Sequence, residues 1–225
     1  MPAAYLTGEA WLGDFRFHVD RRVAIPRSYI AELLPDGLTP YVESADVRKA
    51  LDLCTGSGCL AILMAHAFVN ADIDAVDVSM DALEVARQNV AEYDLEDRIN
   101  LIHSDLFEAL RDKIYDVIVS NPPYVTTRAM ETLPPEYRHE PALALAGGDD
   151  GLDIVCSIID AAPRYLSARG VLVVETGAGK SAVEAAFPRA PFVWLATRSS
   201  SDAVFLLTRD DFEKWPDWLA RRVTR

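Results

Sequence analysis

Cysteine is scarce in this chain: Cys54, Cys59 and Cys156 are the three in 225 residues, and no two of them form a C-x-x-C pair. That count and spacing exclude a complete disulfide framework and a cysteine-built zinc site. No apolar run reaches the roughly 18 residues a membrane span needs. The opening residues, MPAAYLTGEAWLG, lack the basic-then-apolar order of a secretory leader. These absences point to a reducing cytoplasm, no membrane association and three packed thiols. Basic charge is also short. With 22 Lys and Arg against 35 Asp and Glu, the net charge is −13. Broad binding to nucleic acid depends on neutralising phosphates, so no direct nucleic-acid binding is expected. Attraction to a basic protein partner is permitted, although charge alone favours acidity merely for solubility.

What is present is a core. Half of the residues are hydrophobic, enough for one large domain. From about residue 48, strand-like and helix-like runs alternate, the pattern of a doubly wound parallel sheet. Strands are predicted at 47–53, 72–78, 98–103, 114–120 and 170–175. A closing antiparallel pair is predicted at 192–197 and 204–208. Helices are predicted at 59–68, at 80–93 behind an N-cap at Ser79, at 152–166 with Pro163 distorting its last turns or ending it early, and at 180–187. Residues 126–151 read as a long irregular wall or lid. The tail RDDFEKWPDWLARR reads as a last amphipathic turn or two. Ahead of the sheet, Gly13-Asp14 between two apolar runs reads as a hairpin, followed by a short helix at 29–34 capped by Ser28. The expected organisation is an N-terminal hairpin segment, 1–45, and an α/β domain, 46–225.

The strongest chemical signal is Asn121-Pro122-Pro123-Tyr124, placed directly after the β-branched run ending at Ser120. Two prolines remove two backbone donors, leaving carbonyl acceptors without neighbouring N–H groups to compete. Asn121 adds a side-chain carbonyl and Tyr124 a flat face. Such a site suits a planar –NH2 group, and both adenine's exocyclic amine and the glutamine carboxamide qualify.

Upstream, Cys54-Thr55-Gly56-Ser57-Gly58 follows the first of the parallel strands and opens a helix, where glycines let a ligand approach the backbone and the helix start offers free N–H groups. Asp77 ends the next strand, placed to hold ribose hydroxyls. Asp105 and Leu106 follow the third, placed to meet an adenine amine and ring. A third glycine after Gly58 is missing, Cys59-Leu60-Ala61 standing there instead. A dinucleotide pyrophosphate would want that glycine; S-adenosylmethionine has no pyrophosphate.

DLCTGSGCLAI (52–62), AVDVS (75–79), NPPY (121–124) and EPALALAGGDDGLDI (140–154) resemble, in order and spacing, the HemK-related protein glutamine methyltransferases. The resemblance covers essentially the whole chain. It implies a Rossmann-like class I S-adenosylmethionine-dependent methyltransferase fold, with a mostly parallel seven-stranded sheet, helices on both faces and an N-terminal β-hairpin. The cofactor implied is S-adenosylmethionine, and the acceptor is a glutamine amide in a protein of the translation apparatus. The flanks AYLTGEAWLG (4–13), IPRSYIAELL (25–34) and PFVWLATRSSSDAVFLLTRDDF (191–212) are similar to the branch of PrmB type, which modifies large-subunit ribosomal protein three. A sister branch modifies the GGQ loop of peptide-chain release factors and more usually reads Pro-Arg-Pro-x-Thr where this chain has Pro26-Arg27-Ser28-Tyr29-Ile30.

Carried over residue by residue, the resemblance implies that Cys54, Thr55, Gly56, Ser57 and Gly58 hold the cofactor's methionine part, Asp77 its ribose, and Asp105 and Leu106 its adenine. Asn121 lies beside the transferring methyl. Asn121, Pro122 and Tyr124 form the catalytic set; the same three with Pro123 hold the glutamine, and Pro26 and Arg27 help shape its pocket, a surface ion pair being the equal alternative for Arg27. No metal and no catalytic histidine are required. Members of the group also carry a helical domain ahead of the hairpin, so residues 1–45 read as the link to a domain this chain lacks. The release-factor branch stands as the first competing reading, with a nucleic-acid adenine methyltransferase and a non-catalytic binding module behind it.

Overall fold

A computed structural model describes residues 1–214. A short helix α1 (Ala3–Thr7) leads into the hairpin β1 (Glu9–Leu12) and β2 (Phe15–His18). The sheet then follows as β3 (Lys49–Leu53), α2 (Cys59–Ala67), β4 (Asp72–Asp77), α3 (Met80–Glu92), β5 (Ile99–His103) and β6 (Tyr115–Ser120). After α4 (Thr127–Thr132) come α5 (Asp153–Ala161), β7 (Leu166–Glu175), α6 (Lys180–Ala186), β8 (Val193–Leu195), β9 (Val204–Thr208) and α7 (Arg209–Lys214). The strand order is β5-β4-β3-β6-β7-β9-β8, parallel from β5 to β7 and antiparallel at β9 and β8. This is a Rossmann-like methyltransferase sheet.

Alternation along the strands builds two cores, because successive side chains leave a strand on opposite faces. Ala50, Ala75, Val117, Val119, Val171 and Val173 face the cluster that contains α2, α3 and the hairpin. Leu51, Leu53, Val76, Ile118, Leu172 and Val174 face the cluster that contains α5, α6 and α7. Both faces are covered, as a parallel sheet requires. Residues 1–45 contribute to the first cluster through Phe17, Val19, Val23, Ile30 and Leu34.

Several elements differ from the sequence expectation. Residues 29–34 form no α-helix; two 3-10 turns, Ile30–Glu32 and Leu34–Asp36, stand there, Pro35 sits in the second, and Gly37 ends it left-handed. Pro35 cannot donate to a continuing α-helix. Ser28 does accept the Ile30 N–H, at 3.1 Å. The helix expected over 152–166 ends early, at Ala161, one of the two outcomes expected of Pro163, which sits in the 3-10 turn that follows. The stretch after Tyr124 is more ordered than expected: Thr126 caps α4 by accepting the Ala129 N–H at 3.2 Å, and 3-10 turns follow at Pro135–His139 and Ala142–Ala144. Of the tail, α7 is present, and the part from residue 215 lies outside the described residues.

Two polar side chains lock these layers together. Asn89 of α3, fully buried, accepts the His18 N–H at 2.7 Å and donates to the carbonyls of His18 and Ser57 at 3.0 and 2.8 Å. It thereby ties the hairpin to the loop after β3. Asp52, also fully buried, accepts from Thr55 Oγ1 at 2.5 Å and the Ala61 N–H at 3.0 Å through one oxygen, while the other has no partner. Burial pushes its carboxyl up to about 7 against the lowering effect of those two bonds.

Two outcomes follow. Asn89→Leu keeps the volume but strands three backbone groups, and urea denaturation should show a loss of about 3 kcal/mol. Asp52 binds its proton more tightly folded than unfolded, so its contribution to stability is present at low pH and is lost as pH rises from its ordinary 3.8 through about 7. Denaturation at pH 4.5 and 7.5 (about the two ends of that window) should show a larger fall for the wild type than for Asp52→Asn. Equal falls would remove Asp52 from the pH dependence.

Candidate active site

The strand order reverses between β3 and β6, and in open α/β sheets a crevice forms outside the carboxyl ends at such a point. Here it is a cavity of about 790 Å³. The turn after β3 runs through Cys54, Gly56 and Gly58 at φ of 61°, 56° and 80°. A Cβ added at Gly56 would meet nothing within 4 Å, so its bare backbone opens on the cavity. Gly58 does not line the cavity; a Cβ there would stand 3.2 Å from Ala86 Cβ, so this glycine lets α2 start against α3. Cys54 in the left-handed region is strained backbone held by its surroundings, and Leu106, at φ 45°, is a second such residue on the cavity wall.

Asp77, at the end of β4, accepts the Gly56 N–H at 2.8 Å through Oδ2 and the Ser79 N–H at 2.9 Å through Oδ1. It stitches the glycine turn to the start of α3 and still lines the cavity. Burial raises its carboxyl; the backbone N–H groups pull it back down. Cys54, Thr55, Ser57, Asp105 and Leu106 share the same lining. Burial also raises the Cys54 thiol, holding it neutral. The sequence-predicted cofactor residues therefore converge on one cavity, Gly58 excepted.

The other end of the cavity is built by Asn121–Tyr124. Ser120, the last residue of β6, donates to the Leu53 carbonyl at 2.8 Å, and Asn121 emerges beyond it. Asn121 Nδ2 donates to the Arg27 carbonyl at 3.0 Å, which fixes the amide so that Oδ1 remains as acceptor. No described group donates to that Oδ1, nor to the carbonyl of Pro122, and both residues line the cavity. Tyr124 points its hydroxyl at Glu175 Oε1, 3.3 Å away. Its ring lies so close to Gly177 that a Cβ there would stand 2.6 Å from it. Burial, reinforced by Glu175, raises the phenol and keeps it protonated.

Arg27 lines the cavity and is an ion pair as well: its guanidinium grips both oxygens of Glu140, at 2.9 and 2.8 Å, beneath the Tyr137 ring at 5.0 Å. Glu140 is buried although it sits in the segment after α4. Glu175 Oε2 takes the Ser28 hydroxyl at 2.6 Å and the Tyr29 N–H at 2.8 Å. Sequence reasoning assigned no role to Glu140, Glu175 or Asp52. Glu175 had one signal: a carboxylate ending the apolar run VLVVE at the carboxyl edge of the sheet. Among the described residues, no group of three or more His, Cys, Asp or Glu could hold a metal ion, and no helix is long and apolar enough to cross a membrane.

Comparison with known proteins places the chain in a family. The methyltransferase small domain family model matches residues 35–133. The ribosomal protein uL3 glutamine methyltransferase of Bordetella pertussis is 64% identical over 211 residues, 93% of this chain and 71% of its own length. Its namesake from Neisseria meningitidis serogroup B is 59% identical, covering 93% and 69%. That from Francisella tularensis is 45% identical, covering 96% and 69%. Among solved structures, the T. thermophilus 16S rRNA methyltransferase RsmC, in complex with AdoMet and guanosine, aligns with a TM-score of 0.60 at 19% identity, over 89% of this chain and 49% of its own. The catalytic domain of hMettl16, in complex with an RNA hairpin, aligns with a TM-score of 0.62 at 17% identity, over 85% and 74%. Those two share the fold; the bacterial relatives match this chain at 45% to 64% identity over 93% to 96% of its length. A cavity built from a glycine turn, a strand-ending aspartate and an NPPY corner, in a chain this similar to them, means that the protein belongs to the ribosomal protein uL3 glutamine methyltransferase family.

Proposed function

We propose that the protein transfers a methyl group from S-adenosylmethionine to the side-chain amide nitrogen of a glutamine in ribosomal protein uL3. The observation that carries this reading is the state of Asn121. Its Nδ2 is committed to the Arg27 carbonyl, so a carbonyl oxygen, and not an N–H, faces whatever enters the cavity. Beside it stands the Pro122 carbonyl in a loop with no competing proline N–H. Two acceptors side by side match the two protons of a carboxamide –NH2.

The residues at the other end fit S-adenosylmethionine. Gly56 leaves bare backbone on the cavity, and the volume lies within the roughly 300–1,000 Å³ usual for ligand pockets. Each Asp77 oxygen takes one backbone N–H and keeps lone-pair capacity for a ribose hydroxyl. Cys54–Ser57 hold the methionine part, and Asp105 and Leu106 meet the adenine. S-adenosylmethionine, when bound there, supplies an electrophilic sulfonium methyl.

This chain's residues then act on the acceptor. An amide nitrogen is a poor nucleophile because its lone pair is delocalised into the carbonyl. Asn121 Oδ1 and the Pro122 carbonyl hold its two N–H groups and so orient it. The same oxygens stabilise positive charge growing on nitrogen. Tyr124, held by Glu175 and Gly177, covers the amide's flat face, and Pro123 shapes the wall beside it. No protein base is needed, since a protonated, methylated amide is acidic enough to release its proton to water.

Three measurements test this. Mass spectrometry of ribosomal proteins and release factors from cells lacking the protein should show one uL3 glutamine peptide lighter by one methylene; a change confined to a release factor would reassign the substrate. Asn121→Ala should lower kcat by about 10²–10³-fold while calorimetric affinity for S-adenosylmethionine stays within a few-fold; retained kcat would remove Asn121 from the chemistry. Asp77→Ala should weaken that affinity by about 10-fold or more, the worth of a hydrogen bond to a charged group; unchanged affinity would take Asp77 out of the cofactor site.

A further inference from the structure

Asn121 does not choose its own orientation. Its amide is turned by the backbone carbonyl of Arg27, and that carbonyl is pinned from two sides. On one side the Arg27 guanidinium is gripped through both nitrogens by Glu140. On the other, the next two residues, Ser28 and Tyr29, are bonded to Glu175. Glu140 comes from a different part of the fold, 113 residues along the chain, in the segment whose Leu145 and Gly147 clasp Val125 just beyond Tyr124. Its side chain is 3% exposed, and Arg27 is its sole hydrogen-bonding side-chain partner among the described residues. A buried carboxylate spent entirely on one arginine does not touch the acceptor; it sets where that arginine's backbone lies.

Resting on the function proposed above, we infer that Glu140 is a positioning residue for methyl transfer: through the Arg27 guanidinium it fixes the carbonyl that turns the Asn121 amide oxygen into the cavity. The planar, bidentate geometry is what makes this effective, because two parallel bonds fix direction as well as distance. Losing one of them lets Arg27 swing about the other. The Asn121 amide is then free to rotate and to present Nδ2, a donor, to a substrate that is itself a donor.

The test compares Glu140→Gln and Glu140→Asp in the full-length protein, with uL3 as substrate. Glu140→Gln keeps the shape and one acceptor; it should lower kcat by about 10-fold or more (about 1.4 kcal/mol), with KM for uL3 and calorimetric affinity for S-adenosylmethionine within about three-fold of wild type. Glu140→Asp keeps the charge and should recover part of the loss. Combined with Arg27→Met, Glu140→Gln should cause no additional loss of kcat, since the guanidinium it acts through is gone. Independently of turnover, the Asn121 side-chain amide protons, followed by ¹⁵N NMR in the protein without substrate, should exchange with solvent faster in Glu140→Gln than in wild type. Wild-type kcat in Glu140→Gln, or a loss seen wholly in cofactor affinity, would overturn the inference. If the wild type leaves uL3 unmethylated, the functional reading fails; the NMR comparison then decides the positioning claim, and unchanged exchange would sink it.

Discussion

The hydrogen bond from Asn121 Nδ2 to the Arg27 carbonyl is the contact on which the site turns, because it converts a symmetric-looking side chain into a directed one. A carboxamide offers a donor and an acceptor of nearly equal size, and only a committed partner on one end decides which faces the ligand. The partner here is backbone, so the decision is made by the course of the chain through residues 25–30. That course is in turn imposed by two carboxylates from elements far away in sequence, one after α4 and one at the end of β7. The N-terminal segment is therefore part of the cavity wall as much as the sheet is. Its hairpin buries Phe17 and Val19 in the core shared with α2 and α3, and Asn89 bonds it to the turn after β3.

Acidic groups crowd this edge, and each has a defined way of being tolerated there. Asp52 is raised by burial. Asp77 is held by backbone N–H groups from the turn it supports. Glu140 is neutralised by Arg27, and Glu175 shares its oxygens among a hydroxyl, a backbone N–H and a phenol. Burying a charge is unfavourable unless it is paired or hydrogen-bonded, and these bonds also organise the loops that carry them. The atoms left without partners at the NPPY corner are neutral carbonyl oxygens. That division suits the chemistry: a cationic donor benefits from nearby acids, while an uncharged acceptor needs acceptors that do not drag in a counter-ion.

The sheet was legible because its signals are local. β3, β4, β5 and β6 are short strands rich in aliphatic residues, and each lies within about two residues of its expected limits. Ser79 capping α3 was readable for the same reason. Short elements were not: α1 and α4 span five and six residues, too few for a period to emerge, and the 3-10 turns around Pro35 resemble a helix start that a proline then cuts. The positions of Cys54, Thr55, Gly56, Ser57, Asp77, Asp105, Leu106 and the NPPY residues around one cavity followed from strand ends meeting at a topological switch. Gly58 followed the same motif, yet its missing Cβ serves the contact with Ala86. Glu140 and Glu175 could not be found this way, since their partners are 113 and 147 residues distant and no local pattern encodes a tertiary pairing.

Glycines around the NPPY corner show how tightly that pairing is enforced. A Cβ at Gly147 would stand 2.7 Å from Tyr124 Cα and 2.8 Å from the Pro123 carbonyl oxygen, and one at Gly177 would enter the Tyr124 ring. Backbone therefore touches the corner on two sides, from the segment after α4 and from the turn after β7. Two prolines limit the loop's own dihedral freedom, and Ser120 anchors its base to β3. A loop confined in this way gives up little further entropy when an amide docks against it. For a nucleophile as weak as a carboxamide, prepaid orientation is the main resource a protein can offer, and here backbone contacts hold the corner while Asn121 Oδ1 and the Pro122 carbonyl accept from no described group.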